Sequence, residues 1–426
     1  MRRFLAVLFI VTLLAHTAIA DTTIDATANR GIKHSPVTDN IVPEGVSPTT
    51  GLNLSDYDVP DYFAGLATTG IYFPVLVQIS VPYDEKSKNP TLAYGTGNKS
   101  PWGLLNADII YELPLHANGE IRMSALFSDV IPDAVGPIRS ARIGHAWLRE
   151  EWDCGFMYYG QQEYKQTNVI DEVRRTGANE KGLLWPGTVG ESRPWKKYYT
   201  VYKSKRLRAV LADPNDQSGD PADFLRGYLI PQWPDILTYP QQVNHAYKFA
   251  DTPNTKGDTA ETVYVTWRTN KGKDVINEVY TYNAKEQTYT RKLVSKKRSK
   301  DLVTWADLET QEPITFSNVI VQWAKTTYLG LDAPVTENVG SLVKAAVVDK
   351  NTYEILEPAV YNSIEGNADI FMNGRHISGI WYREGLNTRT VFFDENGEEV
   401  ELQRGRTMII QLPYENGCSY GEALPE

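Results

Sequence analysis

The chain has 426 residues, 43 basic and 53 acidic side chains and a net charge of -10 at pH 7. That balance argues against a nucleic-acid binder, whose footprint is net basic, and the length alone predicts two domains. Two cysteines, Cys154 and Cys418, with no CxxC and no His/Cys cluster, exclude a thiolate zinc site; no metal and no cofactor is expected.

Arg2 and Arg3 precede an apolar run, Phe4 to Leu14, broken only by Thr12, and Ala18-Ile19-Ala20 is a small-residue cleavage site before Asp21. This predicts an export signal over 1–20. The run is shorter than the roughly 20 apolar residues of a membrane span, and no later stretch is suited to crossing one. The expected protein is therefore exported, periplasmic or secreted, with no membrane span after cleavage. Removing Arg2 and Arg3 takes the net charge to about -12. Export also permits a disulfide; a Cys154–Cys418 pair and two separate thiols both stand open.

Residues 21–60 are rich in Thr, Asp, Pro and Gly without an apolar period, and predict a flexible leader. An N-terminal mixed α/β domain is expected over 61–235. IYFPVLVQIS from Ile71 is β-branched and aromatic, a buried strand. In DIIYELPLHANGEIRMSALFS (108–128), two apolar stretches flank Asn118-Gly119, a strong hairpin signal. A two-residue turn there sets Ala117 opposite Glu120 and Glu112 opposite Ala125. Alternation then places Glu112 on a face with Ile110, Ile121, Met123 and Phe127, and Arg122 on the other with Tyr111, Leu113 and Leu126. Both charges sit among apolar neighbours and need partners.

VGPIRSARIGHAW (135–147) places Arg139 and Arg142 after a Gly-Pro turn, at the start of an expected helix over 140–152. Ala141, His145, Leu148 and Trp152 form its apolar stripe and Ser140 its N-cap. Cations are disfavoured at a helix N-terminus. Its unpaired N–H groups plus two guanidiniums make a seat for a carboxylate or phosphate; the bland alternative is an internal brace in which Asp108 and Glu112 neutralise the arginines. His145 reads as a core histidine. FMYYGQQEY (156–164), with Tyr158, Tyr159, Gln161 and Gln162, offers stacking faces and amides suited to sugars, as do Trp185 and Trp195; burial of these aromatics would make them simple core.

Residues 236–260 read as a linker. From 261 to 415 the pattern turns to strands: ETVYVTWRT, NEVYTYNA, QTYTRKLV, TFSNVIVQWA, KAAVVDK and RTVFFDENGEEVELQ, with a turn at Glu395-Asn396-Gly397. This half is expected to be mostly antiparallel β, giving an α+β chain with a tail over 416–426. KKYYTVYKSKRLR (196–208) suits an anionic polymer, and RKLVSKKRSK (291–300) reads as a solvated loop. GTGNKS (95–100) lacks the phosphate-loop order, no G-x-S-x-G elbow occurs, His34, His116, His145, His245 and His376 show no metal-type pairing, and the glycine of DPNDQSGD (213–220) is misplaced for a calcium loop.

PTTGL (48–52), ADIIYE (107–112), GPIRSAR (136–142), FSNVIVQ (316–322), DIFMNGR (369–375), ISGIW (377–381) and FFDENGEEVELQRGRT (392–407) together resemble the YerB-like family of bacterial lipoproteins, named as a domain of unknown function. The resemblance implies an N-terminal α/β domain, a β-rich C-terminal domain and tethering through a lipidated cysteine. No Cys precedes Cys154, so this chain is expected not to be lipid-anchored. The family's Pro-His-Asn has no counterpart in KKYYTVY (196–202), and no catalytic residue is implied.

Three readings of function follow. The first is an exported envelope protein binding an anionic or glycan-like, peptidoglycan-related ligand through Arg139, Ser140 and Arg142, with Asp108, Glu112, Arg122, Tyr159 and Gln161 around them. The second is a glycan-cleaving enzyme with Glu112 as general acid, its pKa raised by an apolar setting; Asp108, four residues along a strand, is about 13 Å away, long for a carboxylate pair. The third is a structural or protein-docking module, with the arginines braced internally and an envelope protein as partner.

Overall fold

The structure, a computed structural model, describes residues 22–60, 63–79, 101–115, 117, 119–138, 140–158, 160–161, 168–169, 171–172, 217–219, 221–223, 225–226, 245–294, 303–307, 310–328, 334–336, 342–344, 347–348, 355–357, 360–361 and 363–422. It is mostly β. Among these residues a large sheet of twelve strands runs in the order Val391–Asp394, Arg375–Arg383, Ile364–Met372, Asn318–Ala324, Thr407–Pro413, Ile109–Pro114, Ile121–Phe127, Val75–Ile79, Val135–Ile138, Gln217–Gly219, with Gly155–Met157 and Asp258–Thr259 as side pairings. A second sheet of seven runs Thr22–Thr23, Gly417–Gly421, Thr262–Arg268, Asp274–Asn283, Thr288–Val294, Val303–Thr304, with Thr315–Phe316 added to Thr288–Val294.

The second half is largely antiparallel, as the alternation predicts. Thr407–Pro413 is the exception: it lies parallel to both Asn318–Ala324 and Ile109–Pro114. The large sheet thus takes strands from both sides of the expected linker. Its central strands are apolar along their whole length because both faces are covered. Ile110, Met123, Val319, Val321 and Ile410 pack against Val265, Trp267 and Tyr280 of the second sheet. On the opposite face Tyr111, Leu113, Leu126, Ile320 and Ile409 pack with Ala146, Leu148 and Trp152 of the helix Ile143–Trp152. Each such fully buried side chain contributes about 1.5–3 kcal/mol.

The 108–128 hairpin forms, but two residues out of the expected register: Glu112 faces Met123 rather than Ala125. The connection closes at Leu115, whose N–H donates to Glu120 O at 2.7 Å, and Ala117 O accepts from Asn270 of the second sheet at 2.8 Å. A shift of two preserves the pleat, so the predicted faces stand.

Residues 22–60 depart from the flexible leader expected of them. Thr22 and Thr23 pair with Tyr420 and Ser419. Arg30 donates to Ala368 O and Gly379 O, and Asn40 donates to Ala246 O. Their polar side chains bind backbone and acids across the sheets, an attachment with no apolar period to betray it. Cys154 and Cys418 are separate buried thiols, and burial pushes the Cys154 thiol up to about 12. Among the described residues no helix is long and apolar enough to cross a membrane.

Candidate functional site

Glu112 lies on the face turned to the second sheet, and its side chain is 0% exposed. There it bonds to Arg291 of Thr288–Val294. Arg291 is also 0% exposed, sits 3.1 Å from Glu278 Oε1 and stacks 4.7 Å over Trp305. Glu278 accepts from Trp267 Nε1 and Tyr280 Oη, both at 3.0 Å. Burial pushes the Glu112 carboxyl well above the usual carboxylate range; Arg291 opposes this and Glu278 adds to it. Such a carboxyl holds a proton, as a general acid must, yet it is sealed between two sheets where no sugar reaches it. The catalytic role nominated for Glu112 is therefore corrected to that of a brace, and its partner among the described residues is Arg291. Arg291 itself belongs to a strand, not to a solvated loop; residues 295–300 lie outside the described residues.

Asp108 is committed elsewhere too. Its Oδ2 accepts from Ser128 N and Oγ at 2.6 Å each, from Asp129 N at 3.1 Å and from Thr49 Oγ1 at 3.2 Å. Asp129 accepts from Ser47 Oγ and Tyr57 Oη at 2.7 Å and from Thr50 Oγ1 at 2.8 Å. Burial, and then the charge of Asp129, pushes Asp108 well up. Burial raises Asp129 as well, against the hydroxyls of Ser47, Tyr57 and Thr50. Two carboxyls so placed share protons. The threonines of PTTGL and the aspartate of ADIIYE thus meet in one buried lock that fastens the 47–57 segment to the sheet.

The remaining basic residues do converge. The helix Ile143–Trp152 is capped by Arg142, two residues later than the Ser140 expected. Arg142 N donates to His145 Nδ1 at 2.9 Å. The imidazole therefore fills the place of the glutamate that reciprocates in a capping box, and no acidic residue stands in the first turn. Burial, then the charges of Arg122 and Arg142, holds His145 far below its ordinary value. The ring is neutral, and since Nδ1 accepts, its proton is on Nε2. That buried Nε2 finds no acceptor among the described residues. Arg122 reaches Ser140 O at 3.5 Å, and Ala141 pairs with Gln161. Arg122, Ser140, Arg142, His145 and Gln161 thus surround one helix start. Arg139 and Tyr159 lie outside the described residues, as do Gln162, Trp185, Trp195 and 196–208. Tyr158 is 0% exposed and packs 4.7 Å from Phe156, which makes it core rather than a sugar platform. Among the described residues no three His, Cys, Asp or Glu side chains are grouped to hold a metal ion.

Sequence reasoning missed Arg291, Glu278, Ser128 and Asp129. For the first two a signal existed. Arg291 stands two residues from Tyr289, and Glu278 two from Tyr280, so each charge occupies a strand position in line with a buried aromatic. For Ser128-Asp129, at the end of a strand, no periodic signal marks burial.

Two family models match the chain: "Protein of unknown function (DUF3048) N-terminal domain" over residues 96–213, and "Protein of unknown function (DUF3048) C-terminal domain" over residues 263–409. The chain is 27% identical over 225 residues to the Bacillus subtilis (strain 168) protein named "Putative lipoprotein YerB", which is 51% of this chain and 56% of that one. The match therefore spans about half the length of that relative. The crystal structure of YerB protein from Bacillus subtilis is similar in fold, with a TM-score of 0.55 at 19% identity, covering 88% of this chain and 99% of that one. With both domains represented, the chain belongs to the DUF3048 family.

Proposed function

We propose that this protein is an exported, envelope-side binding protein that holds an anionic group of a cell-wall-type glycan polymer at the start of the helix Ile143–Trp152. The observation that carries the reading is the cap itself. A neutral His145 stands where an acid is usual, its Nε2 proton meets no acceptor among the described residues, and Arg122 and Arg142 stand beside it. An anion answers all three: it accepts from Nε2 and gains from the guanidiniums and the helix dipole. Ser140, Gln161, Arg139 and Tyr159 are the flanking candidates for sugar contacts. Export rests on the basic start and apolar run of residues 1–20 and on the likeness to a protein whose name includes lipoprotein.

The test is co-sedimentation of the purified chain with cell-wall sacculi at low and high salt. Binding that weakens with salt and is lost in Arg142→Ala and Arg122→Ala supports the reading. Absence of binding, or binding indifferent to both substitutions, overturns it. A purely structural role for the cluster instead predicts that these variants melt earlier with no binding to lose.

A further inference from the structure

The helix start has one property that a basic cluster alone lacks: the backbone holds its histidine in a single form. His145 is 0% exposed. Its Nδ1 accepts the Arg142 backbone N–H at 2.9 Å, and an amide N–H can only donate. A proton on Nδ1 would set two donors face to face, so the ring can charge only by giving up the cap. The surroundings act in the same sense. Burial first, then Arg122 from the strand Ile121–Phe127 and Arg142 from the cap, keep the ring from charging. No acidic residue stands in the first turn to favour it. The one proton therefore stays on Nε2, a buried atom with no acceptor among the described residues.

The backbone that carries the ring is pinned as well. His145 N and Ala146 N both donate to Arg142 O, at 3.1 and 3.3 Å, and close the first turn. Ala141 N donates to Gly160 O at 3.1 Å and ties the residue before the cap to the next segment. Gly144 packs so closely on the sheet that an added Cβ would fall 2.9 Å from Leu113 Cδ2. Nε2 is thus a donor of fixed place and fixed charge. A guanidinium also donates only, and it keeps its proton at any working pH. A ligand that brings its own proton finds none of these three side chains able to receive it, whereas an oxygen that only accepts satisfies Nε2.

Resting on the reading of this helix start as an anion site, we infer that His145 is its specificity-determining residue, a fixed neutral donor that selects an acceptor-only anion and makes the affinity for it independent of pH from about 5.5 to 8. A carboxylate, a sulfate and a phosphodiester share that chemistry. A phosphate monoester carrying its second proton does not. A histidine free to titrate would behave in the opposite way: it charges as pH falls through about 6.5 and tightens any anion beside it. Because the role is donation and not charge, an amide can stand in for the ring. A glutamine at the third helical position accepts from the capping residue's N–H and still has an N–H to offer the ligand.

Calorimetric titration of the full chain with sulfate, acetate and dimethyl phosphate, at constant ionic strength and at both ends of that pH range, tests this, with inorganic phosphate as a fourth arm. The expected result is binding of at least one of the first three with a Kd that changes less than about twofold with pH; which of them binds tells a sulfate ester, a carboxylate or a phosphodiester source apart. Inorganic phosphate should tighten as pH rises and it loses its second proton. His145→Ala, checked by its melting transition, should weaken the bound anion about tenfold or more, the order of one charge-assisted hydrogen bond, and His145→Gln should recover most of that loss. If none of the three anions binds, both this inference and the anion reading beneath it fall. An anion that binds but tightens about tenfold as pH falls, phosphate held equally at both ends, undiminished affinity in His145→Ala, or no recovery in His145→Gln overturns the inference alone.

Discussion

Replacing Arg291 with methionine removes the cation between Glu112 and Glu278 while roughly keeping the volume. All three side chains are 0% exposed, so water cannot take over the charge left behind. Removing one partner of a buried ion pair costs about 3–5 kcal/mol, and the guanidinium stacked on Trp305 adds a cation–π loss of about 1 kcal/mol. Against a typical stability of about 5–15 kcal/mol, this is a large fraction. Glu112→Gln is a different perturbation. Burial already pushes the Glu112 carboxyl well up, despite Arg291, so the amide replaces a group that tends to hold its proton. One amide oxygen still accepts from Arg291. Glu112 Oε2 has no partner among the described residues, so the amide nitrogen inherits an unsatisfied position, at about 1–2 kcal/mol. Urea unfolding at pH 7, followed by fluorescence of the buried Trp267 and Trp305 around the triad, reads both. Arg291→Met should cost at least twice what Glu112→Gln costs. Equal losses would mean that Glu112 is ionised and the charge reasoning is wrong; a loss below about 1 kcal/mol in Arg291→Met would remove the brace altogether.

Stability should fall as pH rises from about 5 toward neutrality. Asp108, Asp129 and Glu112 are all raised, chiefly by burial, so above the ordinary carboxylate range the folded chain binds more protons than the unfolded one. Each proton so retained gives a slope of about 1.4 kcal/mol per pH unit, measurable as urea midpoints across pH 5–8, and Asp129→Asn should flatten it. Asp369 and Glu399 act oppositely: despite burial, the bonds from His376 and Arg30, and from Arg389 and Lys248, hold them low, so their contribution is lost only as pH falls below about 4. Gly65→Ala should destabilise by about 2 kcal/mol or more, because φ is +108° and the new Cβ falls 2.5 Å from Asp129 O; an unchanged melting temperature would refute it. Neither cysteine should react with a thiol reagent in the folded chain, and both should react in urea, since each is a buried free thiol.

Periodic features are what the sequence makes legible. The faces of the 108–128 hairpin came out correctly although the register did not, because pleat parity survives an even shift. The helix stripe was legible, but its start was not: Ser140 is the better capping residue by chemistry, and His145 at the third position overrides it by accepting from Arg142. The partner of Glu112 lies 179 residues away, and local pattern fixes only that some partner is required. The parallel pairing of Thr407–Pro413 with Ile109–Pro114 was equally hidden, since two strands covered on both faces carry no mark of who adjoins whom. The leader failed for the opposite reason: hydroxyls that bind Asp108 and Asp129 look, in composition, like hydroxyls that bind water.

The cationic helix start and the acidic wall around Asp369 are separated by the same parity that saved the hairpin. Arg122 pairs with Leu113 and shares the helix-bearing face. Asp369 alternates with Ile370, which is buried on that face, and aligns with Phe371, which is buried toward the second sheet. His376 is opposite Phe371. The cationic helix start and the acidic wall therefore occupy opposite faces of one sheet, each with a charge sign set by its own neighbours.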